Sequence, residues 1–114
     1  MKLFVTENSM ASELCESVEM ADNLVTRFRG LLGRKQLPPT NALWLRPCNS
    51  IHTFFMKFSI DVLFLDKENR IIDIARNIPP YRVLSPRWRA ASVIEMSAGS
   101  SKAAQVGMVV VCQS

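Results

Sequence analysis

The chain has 114 residues, of which 48% are hydrophobic and 21% charged. This length and balance are typical of one globular domain and argue against a disordered or fibrous chain. No apolar stretch approaches the roughly 18 residues of a membrane span, and the short apolar run at the amino terminus is too brief for a signal-peptide core. Three widely spaced cysteines indicate no disulfide framework, so we expect a single cytoplasmic domain over residues 1–114.

The net charge of +4 is concentrated in one segment of the chain. Residues 1–69 hold eight basic and eight acidic side chains, which cancel. Residues 70–89 contain five arginines and only one acid, Asp73. This arginine excess predicts a local surface that attracts anions.

The amino-terminal part of the chain predicts two strands followed by a helix. Residues 3–5 and 14–20 have the apolar patterns of strands. Asp22 stands where a helix N-cap belongs, and apolar residues then recur at the spacing of one helix face. We therefore predict the principal helix at residues 23–32.

The rest of the chain predicts mostly strands. Runs rich in β-branched and aromatic residues occur at 42–45, 51–56, 60–65, 70–75, 91–96 and 107–112, and we expect 51–56 and 60–75 to supply central strands. Prolines interrupt residues 78–89 and predict an exposed loop that carries the arginines, and a short helical turn is expected within 98–105. The fold class is mainly β (α+β): a small β-barrel or sandwich of about seven short strands with one principal helix and one short helical turn. Phe28, Leu31, Phe64 and Ile94 should lie in its core.

Three segments of the chain, taken together, resemble a known family. They are Arg27–Arg34, His52–Asp66 and Val93–Gly99, and the string Met-Lys-x-x-Ile-Asp-Val-x-Phe-Leu-Asp within the second is specific. In order and spacing they resemble the domain of unknown function 192 family. The resemblance implies a compact β fold with short helices. Because that family has no established activity, the resemblance assigns no catalytic residue.

One segment contains several reactive groups and predicts a polar pocket. If the chain is extended there, residues of even number project to one side, namely Cys48, Ser50, His52, Phe54 and Met56. Of these, Cys48, Ser50 and His52 form the candidate pocket. Asp61, on the following strand, and Arg46 complete the candidate pocket. We interpret the protein as a non-catalytic binding or accessory module whose ligand is a small anion or a protein partner.

An enzyme is the first alternative interpretation of the same residues. Cys48 would be a thiol nucleophile and His52 its base, as in a thiol-dependent hydrolase or transferase. The Cα atoms of residues four apart on a strand are about 13 Å apart, which favours a structural cysteine. The cysteines lack the paired spacing of a zinc site, so no metal or cofactor is predicted.

The arginine-bearing loop is the second candidate site. Arg76, Arg82, Arg87 and Arg89 are its candidate anion-binding residues, and Tyr81 and Trp88 lie among them. Arginines interleaved with aromatic rings can contact phosphates and stack on bases. Nucleic-acid binding is therefore the second alternative, which the sequence favours less than a solvated loop.

Overall fold

The described part of the chain is built from β-strands and contains no α-helix; the computed structural model describes residues 1–23, 34, 36–54 and 56–113. The ten strands are β1 (Lys2–Glu7), β2 (Met10–Cys15), β3 (Ser17–Ala21), β4 (Asn41–Leu45), β5 (Ile51–His52), β6 (Ile60–Leu65), β7 (Ile71–Ile78), β8 (Val83–Leu84), β9 (Ser92–Ser97) and β10 (Val109–Gln113). The predicted mainly β class is confirmed.

The two predicted helical elements have different outcomes. The principal helix at residues 23–32 lies, except for its first residue, outside the described residues, so it stays a prediction. The segment expected to form a short helical turn contains successive hydrogen-bonded turns, in which Ser100 N–H donates to Ser97 O and Ala104 N–H to Ser101 O. These turns do not continue into a helix.

A five-stranded sheet forms the centre of the fold, in the order β3-β4-β9-β6-β7. The β3–β4 pair is parallel and the other pairs are antiparallel. All six residues of β6 are buried, and so are the first five of β9. A sheet covered on both faces requires such nearly continuous apolar strands, which explains the run from Ile60 to Leu65, where Asp61 is the one polar residue. Phe64 and Ile94 are fully buried, as predicted, and the predicted burial of Phe28 and Leu31 lies outside the described residues.

A three-stranded sheet, in the order β10-β1-β2, packs on one face of the central sheet. Leu3 and Val5 of β1 pack there with Trp44, Leu63 and Ile94 of the central strands, and together they belong to the first core. Each sheet begins and ends with an edge strand, so the described residues form an open sandwich and not a closed barrel.

The other face of the central sheet carries a second core, which is covered by the chain between β4 and β6 and by the loop after β7. Phe64, Val62 and Leu45 of the sheet pack there against Ile51 and Met56. The covering chain includes a short two-stranded ribbon made of β5 and β8.

Three strand predictions require correction. The single strand expected at 14–20 is divided at Glu16 between β2 and β3, which belong to different sheets. Only Ile51–His52 of the segment 51–56 is a strand, and it lies in the ribbon instead of the central sheet. Strand β7 is an edge strand of the central sheet, not a central one.

Candidate binding surface

The β5–β8 ribbon has one buried side and one exposed side. Ile51 pairs with Leu84 and His52 with Val83. Ile51 and Leu84 pack against the second core, whereas His52 and Val83 are exposed. Because side chains alternate along a strand, the inward packing of one pair directs the next pair outward.

Aromatic rings extend this exposed side beyond the ribbon. The ring centroids of His52 and Phe54 are 5.6 Å apart, and those of Phe54 and Tyr81 are 6.3 Å apart. Tyr81 is 60% exposed, Val83 66% and Phe54 39%. We call the surface formed by His52, Phe54, Tyr81 and Val83 the aromatic ribbon face.

Thr53 fixes the backbone beneath the aromatic ribbon face. It is fully buried, and its hydroxyl donates to Pro79 O at 2.7 Å and accepts from Arg82 N–H at 2.8 Å. Its own N–H donates to Arg82 O, and its carbonyl accepts from Tyr81 N–H. These bonds hold Tyr81 at a φ of 67°, a conformation that residues other than glycine seldom adopt. Sequence reasoning missed Thr53, whose only signal was a hydroxyl within an apolar segment.

The five arginines of residues 70–89 do not converge on one surface. Arg70 Nη1 donates to Gly107 O, and Arg76 donates to Ser101 and Ala104. Arg87 pairs with Asp73 at 2.8 Å, and its guanidinium lies 4.4 Å from the centroid of the Phe64 ring.

Arg82 and Arg89 differ from the other three arginines. Within the described ranges, neither guanidinium donates a hydrogen bond or pairs with a carboxylate, whereas Arg70, Arg76 and Arg87 each donate to a protein acceptor. Arg82 lies between Tyr81 and Val83, so its charge is next to the aromatic ribbon face.

Cys48 and His52 lie in different environments. The Cys48 thiol donates to Ser50 O at 3.0 Å, its N–H donates to Ala91 O, and its side chain packs against the second core. His52 is exposed and contacts Phe54. The common side expected for residues of even number does not persist, because β5 ends at His52 and Met56 is buried. A cavity of about 310 Å³ adjoins Cys48 and Ala91.

Asp61 lies apart from Arg46, although both were assigned to one pocket. Asp61 pairs with Met96, which in turn pairs with Ala42. Arg46 is four residues beyond Ala42, or about 13 Å further along the strand direction. The Arg46 guanidinium lies 4.4 Å from the centroid of the Trp44 ring.

The carboxylate of Asp61 is buried and accepts four hydrogen bonds. Asn77 N–H donates to one oxygen at 2.9 Å. Gly99 N–H, Ser101 N–H and the Ser101 hydroxyl donate to the other. This set of donors matches the structural role of an acceptor for backbone amides, and it ties β6 to the ends of β7 and β9.

Glu95 is a second buried acid, and sequence reasoning did not single it out. It lies on β9 between Leu43 and Val62 of the neighbouring strands. Burial raises the pKa of its carboxyl to about 7, and the positive charge of Arg34 opposes that rise. Its Oε2 atom has no hydrogen-bond partner among the described residues. A lone acid in an apolar strand was the available signal, as for Asp61.

The described part of the chain contains no group of three or more His, Cys, Asp or Glu side chains placed to hold a metal ion. Within the same ranges, no helix is long and apolar enough to cross a membrane.

These features define an open β-sandwich with an exposed aromatic ribbon. The chain belongs to the domain of unknown function 192 family, described as an uncharacterized ACR, whose sequence pattern matches residues 5–111. The resemblance noted from the sequence is therefore confirmed. Because the function of this family is unknown, membership assigns no activity.

Two relatives agree with this membership. A UPF0127 protein of Pyrococcus horikoshii is 37% identical over 68% of this chain and 70% of its own length. A UPF0127 protein of Pyrococcus abyssi is 36% identical over 78% of each chain.

Two crystal structures have a similar fold. One is a protein of unknown function from Novosphingobium aromaticivorans, with a TM-score of 0.82, 21% identity, and coverage of 97% of this chain and 84% of that one. The other is a protein from Sinorhizobium meliloti that is assigned provisionally as a transcription regulator. It has a TM-score of 0.83, 21% identity, and coverage of 96% of this chain and 91% of that one. Likeness at this identity establishes the fold alone.

Proposed function

We propose that this protein is a non-catalytic binding module that holds a protein partner on the aromatic ribbon face. The observation that carries the proposal is the grouping of exposed apolar and aromatic side chains on one side of the ribbon, above a fully buried Thr53. Soluble proteins seldom expose contiguous apolar patches without a use for them, and such patches often mark interaction sites. A surface held rigid before binding loses less conformational entropy when its partner docks.

The charges beside this face favour a partner segment that places an apolar side chain among carboxylates. Arg82 lies next to the face, between Tyr81 and Val83 in the sequence, and like Arg89 it has no carboxylate partner in the described part of the chain. Arginines at the rim of an interface accelerate association with an acidic partner and select against basic ones. The net charge of +4 acts in the same direction.

Nucleic-acid binding is less well supported, although aromatic rings beside arginines can stack on bases. A nucleic-acid strand would need several cations arranged along its phosphates. Arg70, Arg76 and Arg87 instead donate to partners at separate positions. Among the described residues, only two of the five arginines, Arg82 and Arg89, have a guanidinium that donates no hydrogen bond, which favours a local acidic contact over a phosphate track.

The thiol-dependent enzyme is also less well supported. The Cys48 thiol is half-buried, packs against the second core and donates to a carbonyl. A reactive cysteine needs access to its substrate and a neighbouring group that stabilises the thiolate. The placement of Cys48 is more typical of a structural cysteine.

The test is selection of a random peptide display library on the purified protein, followed by fluorescence anisotropy of the enriched peptides. We expect enriched sequences to combine an aromatic or aliphatic residue with Asp and Glu. Phe54→Ser and Tyr81→Asn should each weaken binding about tenfold or more. Asn tolerates the positive φ at position 81.

Met10→Ser is the matched control, because Met10 is 74% exposed but belongs to β2 of the three-stranded sheet and not to the ribbon. It should leave peptide affinity unchanged. Equal affinity of the enriched peptides for wild type, Phe54→Ser and Tyr81→Asn would refute the proposal. Binding of a single-stranded oligonucleotide through Phe54 and Tyr81, without peptide enrichment, would replace it with the nucleic-acid alternative.

A further inference from the structure

A second candidate site lies beside the turns that follow β9, and none of its lining residues belongs to the aromatic ribbon face. Two cavities open there, of about 460 and 520 Å³, and both are lined by Arg76 and Lys102. Small-molecule sites commonly occupy concave volumes of this order. We call the two cavities together the Arg76–Lys102 cleft.

The guanidinium of Arg76 is held in one orientation. Its Nε donates to the Ser101 hydroxyl at 3.1 Å, and its Nη2 donates to Ser101 O at 3.1 Å and to Ala104 O at 2.7 Å. Nη1 has no acceptor in the described part of the chain. Because the acceptors are neutral, the positive charge is positioned by hydrogen bonds without being paired directly with a carboxylate.

Lys102 adds a second positive charge to the cleft. It is exposed, and among the described residues no carboxylate forms a salt bridge with it or with Arg76. Asp61 also lines one cavity, but its two oxygens already accept four hydrogen bonds. The cleft therefore has two cations and one acid, and the oxygens of that acid already accept hydrogen bonds from Asn77, Gly99 and Ser101 of the cleft wall.

We propose that the Arg76–Lys102 cleft binds the phosphate group of a small phosphorylated molecule. Arginine and lysine are the side chains that proteins use most for phosphate, and a preoriented guanidinium loses little entropy on binding. Nη1 of Arg76 and the Lys102 ammonium can each donate to a different oxygen of a phosphate group, which has more acceptor oxygens than a carboxylate. The cleft is also lined by Ile74, Ala104 and Val106, which form an apolar wall for the rest of the molecule.

The experiment is titration of the ¹⁵N-labelled protein with inorganic phosphate, with sodium acetate at matched ionic strength as the carboxylate probe. We expect saturable chemical-shift changes in the amides of residues 99–106 with phosphate and no saturation with acetate. Lys102→Ala should weaken phosphate binding about tenfold, because a hydrogen bond to a charged group is removed. Lys67→Ala removes an exposed lysine from the β6–β7 turn and should change nothing.

The absence of saturable changes in wild type would overturn the proposal, as would equal affinities of wild type and Lys102→Ala for phosphate. Saturation by acetate at the same concentrations would refute the assignment to phosphate. Butyl phosphate should bind more tightly than inorganic phosphate, because its alkyl chain contacts the apolar wall, and weaker binding would refute that contact. Because Lys102 is not part of the aromatic ribbon face, failure here leaves the peptide-binding proposal to its own test.

Discussion

Glu95 should make the stability of the protein depend on pH. Burial raises the pKa of its carboxyl to about 7 from the ordinary value of 4.5. The side chain is buried, so solvent does not screen this effect appreciably. At about 1.36 kcal/mol for each pH unit, the difference between folded and unfolded pKa corresponds to about 3 kcal/mol.

The direction of the pH dependence follows from the proton that Glu95 retains in the folded state. Below the unfolded pKa of 4.5, Glu95 is protonated in both states and the folded protein bears no cost of burying a charge. As the pH rises toward 7, the unfolded chain releases the proton while the folded chain keeps it, so the free energy of unfolding falls. Above about pH 7 the loss is complete.

The assay is urea denaturation of wild type and Glu95→Gln between pH 4 and pH 8. Glutamine has the same size as glutamate but does not titrate, so its own burial cost is independent of pH. The unfolding free energy of wild type minus that of the variant should fall by about 3 kcal/mol as the pH rises across this range. The difference isolates Glu95, because all other titrating groups are common to both proteins.

Glu68→Gln is the control, because it removes an exposed carboxyl from the β6–β7 turn. Its stability should follow that of wild type across the pH range. Parallel curves for wild type and Glu95→Gln would refute the reasoning. They would mean that the Glu95 carboxyl is solvated or paired in the folded protein.

Three further predictions follow from the described hydrogen bonds. Asp61→Ala leaves the buried donors to its carboxylate without an acceptor. Urea denaturation should show a free energy of unfolding lower by about 3 kcal/mol or more. A loss below about 1 kcal/mol would contradict this structural role of Asp61. Thr53→Val keeps the side-chain shape but removes the hydroxyl that accepts from Arg82 N–H. The free energy of unfolding should fall by about 2 kcal/mol, and hydrogen exchange of the Arg82 amide should accelerate. Unchanged exchange would count against Thr53 as the residue that anchors the ribbon. Alkylation of the native protein from pH 5 to pH 9 should modify Cys48 slowly, and His52→Ala should not change the rate. Rapid labelling of Cys48 below pH 7 that is lost in His52→Ala would restore the enzyme interpretation.

Local patterns in the sequence predicted most of the strands of the central sheet and part of the core. Ile60, Val62 and Phe64 are β-branched or aromatic, which favours a strand, and the nearly continuous apolar run from Ile60 to Leu65 reflects burial on both faces. The burial of Phe64 and Ile94 follows from the same composition. The structural role of Asp61 was also foreseeable, since a carboxylate inside an apolar strand needs donors around it.

The arrangement of those strands depended on pairing between distant parts of the chain. Nothing local to residues 14–20 indicates that Glu16 divides them between two sheets, because the partners of β2 and β3 are β1 and β4. The ribbon likewise arises when residues 51–52 meet residues 83–84.

The candidate sites were the least predictable from sequence alone. Sequence spacing grouped Arg46 with Asp61, but strand register separates these two residues. Sequence spacing also grouped Arg76 with the other arginines, although hydrogen bonds to the turns after β9 hold Arg76 apart from them. The sequence by itself determined which segments can form strands and which side chains must be buried, because those properties depend on local shape and hydrophobicity. Only the tertiary structure decided which side chains share a surface, because register and sheet order arise from contacts between residues far apart in the chain.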